Sequence, residues 1–94
     1  TEVKRVPTLP GGREPAERGV RTGGADRNLT YLEPMVNWGS ASEVERVLMI
    51  DPQTSGGLLV AVTPDSVARY VSLVPDAVEI GEVLPQGPSH IVLA

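Results

Sequence analysis

The sequence predicts an α/β (α+β) chain: a mostly antiparallel sheet with helices packed on it, closing in the order β-α-β-β. Three observations carry this expectation. Residues 58–62, Leu-Leu-Val-Ala-Val, form the continuous apolar run expected of a strand buried on both faces. Val67, Tyr70, Val71 and Val74 fall at i, i+3, i+4 and i+7, the spacing of one helical face. Two more strand-like segments, 78–84 and 90–93, flank Gln86, Gly87 and Pro88, a turn that would join them as a hairpin.

The elements follow in order. Residues 2–6 read as a strand stopped by Pro7. A short helix is expected around 11–18, weakened by Pro15, which brings no backbone donor. Residues 21–29 read as a loop around Gly23 and Gly24, because paired glycines are poor helix formers. Residues 31–38 fit neither pattern, and Pro34 argues against a long helix there. Ser42 followed by Glu45 is a capping-box pattern, with Ser40 and Glu43 as a rival start; Val44, Val47 and Leu48 then share a helical face. Asp51 and Pro52 end that helix, and 53–57 is a polar, glycine-rich loop. Thr63 then caps a helix with Pro64 in its first turn, and Pro75 closes it. Most of the Val, Leu, Ile and Met residues lie from Val47 onward. Residues 1–46 are therefore read as a loop-rich segment and 47–94 as the main core of a single, partial domain.

Composition narrows the function. The chain has 94 residues, 40% hydrophobic and 21% charged, a balance that suits a globular domain and not bulk disorder. Twelve acidic side chains against eight basic ones give a net charge of −4, which argues against a nucleic-acid or anionic-membrane surface. Cysteine is absent, so disulfides, thiolate metal sites and cysteine nucleophiles are excluded within these residues. No apolar run approaches a membrane span and no leader pattern is visible; a cytoplasmic location is the expectation. The chain opens at Thr1 without Met, as a fragment or a processed chain would.

Two segments are candidate binding loops. Asp51, Pro52, Gln53, Thr54, Ser55, Gly56 and Gly57 join a helix to an apolar run, and such a junction can present N–H groups, hydroxyls and one carboxylate to a ligand. On composition alone it reads first as a tight connection whose Asp and Ser cap nearby backbone groups. It is not a P-loop, because the Gly-Lys-Ser/Thr ending is missing. Gly23, Gly24, Arg27 and Asn28 form a second candidate, for an anion, or a simple turn. His90 is the single histidine, so no catalytic triad or histidine metal site can be assembled. Glu14 with Glu17 and Glu43 with Glu45 read as solvated helix faces. Trp38 reads as a partly buried anchor. No catalytic residue and no metal ligand is assigned.

In order along the chain, five segments resemble the C-terminal part of the selenophosphate synthetases, also called selenide, water dikinases. They are Val6, Pro7, Leu9, Pro10 and Gly11; Gly23 and Gly24 with Arg27 and Asn28; Trp38 with Gly39; the unbroken run from Asp51 to Leu59; and Ile80 to Val83. The run from Asp51 is the specific one. The sequence departs from the family pattern in places: Ala25 stands where threonine is usual, Thr22 where proline is frequent, and Gly12 and Pro15 interrupt a segment that usually favours a helix. The resemblance implies an ATP-dependent enzyme that turns selenide, ATP and water into selenophosphate, AMP and phosphate, in the superfamily of aminoimidazole ribonucleotide synthetase. In that family an N-terminal nucleotide-binding domain precedes an α/β domain, and the subunits dimerise. The catalytic Cys or Sec, its nearby lysine and the metal-binding aspartates belong to the N-terminal part, so none maps onto this chain.

The implied role is a non-catalytic wall of a shared cleft, inactive alone. ATP and Mg²⁺ would be held by the missing domain as partner. Asp51, Thr54, Ser55, Gly56, Gly57, Gly23, Gly24 and Asn28 are the substrate- or phosphate-binding candidates. The alternative is a free-standing binding or regulatory module derived from the same domain. Either way, apolar surface left uncovered predicts self-association.

Overall fold

The computed structural model describes residues 1–20, 22–53 and 56–94. Four α-helices are present among them: α1 (Arg13–Glu17), α2 (Gly23–Leu32), α3 (Glu43–Met49) and α4 (Val67–Leu73). Two short strands, β1 (Val36–Asn37) and β2 (Ile91–Val92), pair in parallel with Val36 opposite Ile91 and Asn37 opposite Val92. Single 3₁₀ turns cover Val3–Arg5 and Pro64–Ser66. The chain is thus a mixed helix-and-sheet structure.

Several helices form as their sequences dictate. Ser42 Oγ accepts from the Glu45 N–H at 3.2 Å, while the Glu45 carboxylate accepts from the Ser42 N–H at 2.8 Å; both halves of the capping box are made. The backbone donor at Ser42 is the main reason the Glu45 carboxyl is held below the ordinary glutamate range. In α1, Pro15 lies in the first turn, where a backbone N–H would have had no helical acceptor, so proline is tolerated there. Gly19, at φ +76°, follows that turn, with its N–H on the Ala16 carbonyl at 3.1 Å. Pro64 opens the turn that leads into α4.

Four expectations are corrected. Residues 23–29 are not a loop: they open the ten-residue helix α2, because Thr22 Oγ1 accepts from the Ala25 N–H at 3.1 Å and caps it. Residues 2–6 are not a strand, since Val3–Arg5 closes a 3₁₀ turn. Residues 58–62 and 78–84 have no strand partner among the described residues, and Leu58, Leu59 and Val83 are 94%, 85% and 86% exposed. The hairpin and the antiparallel sheet are therefore absent among the described residues. β2 instead reaches back to β1, and the one sheet is parallel.

The core is also displaced from where the apolar count put it. Val3, Ala25, Val36, Trp38, Ala41, Ile50 and Leu93 are the buried apolar residues, with Leu29, Leu32 and Met49 packed against them. All but Leu93 precede Asp51. The chain's two ends meet at this core: Val3 N–H donates to the Ala94 carbonyl at 3.0 Å, Ala94 N–H to Thr1 at 2.9 Å, and Glu2 N–H to Ile80 at 2.6 Å. Gly39 (φ +53°) follows β1 where the backbone passes against the Leu93 carbonyl, leaving no room for a Cβ.

Candidate functional site

The N-terminal turn of α2 and the segment after α3 lie side by side. A Cβ on Gly24 would sit 3.1 Å from Pro52 Cγ, so the lack of a side chain at Gly24 is what lets these two segments touch. Asn28 Nδ2 donates to the Ile50 carbonyl at 3.0 Å, tying the second turn of α2 to the C-terminal end of α3. That carbonyl lies past the last turn of α3, where helix carbonyls have no intrahelical partner. Gln53 N–H then donates to the Asp51 carbonyl at 2.9 Å, bending the chain just after the helix.

The structure therefore brings together candidates that are far apart in sequence. Gly23, Gly24 and Asn28 share one turn-and-a-half of helix, and Asp51 follows directly from the residue that Asn28 holds. Asn28 has a structural task through its amide donor. Asp51 is exposed, as are Gly56 and Gly57. Gln53 Oε1 lies 2.9 Å from the Cβ position of Gly56, whereas a Cβ on Gly57 would meet open space. Thr54 and Ser55 lie outside the described residues. Chemically, the junction combines the positive end of a capped ten-residue helix with an exposed carboxylate and a glycine-flanked loop. Among the described residues, no group of three or more His, Asp or Glu is placed to hold a metal ion. None of the described helices is long and apolar enough to cross a membrane.

Two features escaped sequence reasoning. Thr22 is the residue that makes α2 a helix; its signal was a Thr three positions before the donating Ala25, masked by the glycine pair between them. Arg46 lies over the Trp38 ring, 5.4 Å from its centroid, and its Nε donates to the Ala41 carbonyl at 3.1 Å. Nothing in the spacing of those residues announced that contact. The buried Trp38 Nε1–H has no acceptor among the described residues.

Comparison with known proteins gives a consistent answer. The selenide, water dikinase of Haemophilus influenzae is 36% identical over 93 residues, which is 95% of this chain and 26% of that protein. The chain is similar to one segment of the selenide, water dikinases. The Pelobacter propionicus selenide, water dikinase is 37% identical over 94 residues, covering 94% of this chain and 27% of its own length. That of Carboxydothermus hydrogenoformans is 40% identical over 70 residues, 73% of this chain and 20% of the relative. The chain thus spans about a quarter of the length of the selenide, water dikinases it matches. No family model matches it, and no solved structure matches it.

Proposed function

We propose that the chain is the C-terminal part of an ATP-dependent selenophosphate synthetase and forms one wall of its active-site cleft. The observation that carries this reading is the packing of the Gly23–Gly24 turn against Pro52, which joins two segments that resemble family motifs. In this reading the α2 N-terminus and the loop from Asp51 to Gly57 face the phosphates or the selenium substrate, with backbone N–H groups as donors. Asp51, Thr54, Ser55, Gly56 and Gly57 supply the loop, and Gly23, Gly24 and Asn28 hold the helix against it.

Phosphoryl transfer needs metal ions and cations around the phosphates. The chain has one lysine, Lys4, and no carboxylate cluster among the described residues, so ATP and Mg²⁺ do not fit here alone. In this reading the wall is inactive by itself. It works with a nucleotide-binding domain in a dimeric cytoplasmic enzyme. The mostly antiparallel, aminoimidazole ribonucleotide synthetase-like sheet would use residues 58–62 and 78–84 with strands from outside this chain.

The test is a graft. These 94 residues replace the matching segment of the Haemophilus influenzae enzyme, and selenide-dependent AMP formation from ATP is measured. Turnover is expected for the graft and none for the chain alone. Gly57→Ala in the graft should leave its stability unchanged, because the Cβ meets nothing, yet lower turnover if backbone approach matters. A folded graft without selenide-dependent AMP formation would overturn the proposal.

A further inference from the structure

The loop from Asp51 leaves the C-terminal end of α3, so its starting point is wherever α3 lies. None of the residues within α3 is fully buried. A helix this short has little stability of its own, and contacts to its neighbours decide its position. The half-buried apolar residues Val44, Val47 and Leu48 give non-directional contacts, and Met49 is a flexible one. Directional contacts come from Arg46. Its Nε donates to the Ala41 carbonyl at 3.1 Å, and its guanidinium carbon lies 5.4 Å from the centroid of the Trp38 ring.

Both partners are themselves pinned to the sheet. Trp38 is buried directly after β1, and the Ala41 N–H donates to the Trp38 carbonyl at 3.0 Å. Between them, Gly39 passes against the Leu93 carbonyl at a positive φ. On the other side of Arg46, its backbone carbonyl accepts from the Ile50 N–H at 3.2 Å, and the Ile50 carbonyl accepts from Asn28 Nδ2. A continuous path of contacts therefore runs from β1 through Arg46 to the residue before Asp51, and on to α2.

We propose that Arg46 is a positioning residue, which clamps α3 onto Trp38 and Ala41 and so fixes where Asp51 and the loop after it begin. A guanidinium suits this task, since it can bond a carbonyl through one N–H and stack on an aromatic ring at the same time. A lysine ammonium, a point charge on a flexible stem, does not reproduce both contacts. Any effect on turnover rests on the cleft-wall reading of the loop; the placement of the loop does not.

The test uses Arg46→Lys, which keeps the charge, and Arg46→Met, which keeps much of the stem. In the 94-residue chain the reporter is the Asn28 side-chain amide, followed by nuclear magnetic resonance. In both variants its resonances should move toward those of an unbonded asparagine. Exchange of the Ile50 N–H should accelerate while exchange in α4 stays as it was. In the Haemophilus influenzae graft, kcat for selenide-dependent AMP formation should fall about tenfold or more, with KM for ATP changed less than about twofold. Arg46→Lys should lose less than Arg46→Met. Unchanged Asn28 resonances in a folded variant of either kind would overturn the clamp. Equal acceleration of exchange in α4 would also overturn it, in favour of general loosening. An unaltered kcat beside shifted Asn28 resonances would overturn its bearing on turnover. A graft without turnover even when Arg46 is present would count against the enzymatic reading alone, because the resonance and exchange readouts involve neither ATP nor selenide.

Discussion

Trp38 and Leu59 are both large and apolar, yet Trp38 is 8% exposed and Leu59 85%. The difference lies in what surrounds them. Trp38 follows β1, with the strand, α2, α3 and the C-terminal residues contributing to one core. Leu59 follows a loop and has no second layer to lie against. Burial of apolar area drives folding only when another surface supplies the other side. The residues up to Ile50 contain several such surfaces, whereas those from Leu58 onward supply one face without its counterpart. The apolar richness of the second part is the mark of a surface awaiting cover.

The sharpest way to break this contrast is to truncate one residue from each part. Trp38→Ala removes a buried indole and its Arg46 contact and should cost about 3–5 kcal/mol in urea denaturation. Val83→Ala, on the uncovered side, should stay within about 0.5 kcal/mol. Equal costs would show that the second part is as well packed as the first. Next comes Gly39→Ala. Its positive φ and the Leu93 carbonyl against it leave no accommodation, so a loss of more than about 1 kcal/mol is expected by the same assay.

The candidate site sharpens the comparison further. Asn28→Ala breaks the tie to Ile50, costing about 1 kcal/mol, of which the better helix propensity of alanine returns roughly half. Amide exchange should accelerate around Asp51 and Gln53 more than in α4. An unchanged rate there would mean that Asn28 does not hold the two segments together. The smallest effect is expected at Glu45. Its folded carboxyl titrates below the ordinary range, so it stabilises α3 at neutral pH. That contribution is lost as pH falls through the lowered value. Glu45→Gln should therefore flatten the acid side of the stability profile while changing little at low pH.

What could be read in advance follows from the same contrast. The capping box at Ser42 and Glu45 is local chemistry, complete within a few residues, and formed as expected, whereas Pro64 opens only a 3₁₀ turn and Thr63 makes no side-chain cap to it, its hydroxyl bonding Ser66 Oγ instead. The Gly23–Gly24 segment misled because two glycines disfavour a helix, while the Thr22 cap and the contacts to Pro52 and Ile50 supply what propensity lacks. Residues 58–62 read as a strand because an apolar run has that signature, but a strand needs a partner, and pattern alone does not say where the partner resides. The loop from Asp51 was legible as a motif. Its contact with α2 was not, since it depends on Gly24 meeting Pro52 across the fold.

Trp38 is the chain's single tryptophan and sits in the part that is well packed. Its fluorescence is consequently a reporter of that part alone. An unfolding curve followed by tryptophan emission would record the loss of the β1–α3 core and stay blind to α4 and the segments around it. Far-ultraviolet circular dichroism would sum both. Coincident curves from the two probes would mean that the exposed part melts with the core. Separated curves would give each part its own midpoint, and adding whatever covers residues 58–62 would draw the two midpoints together.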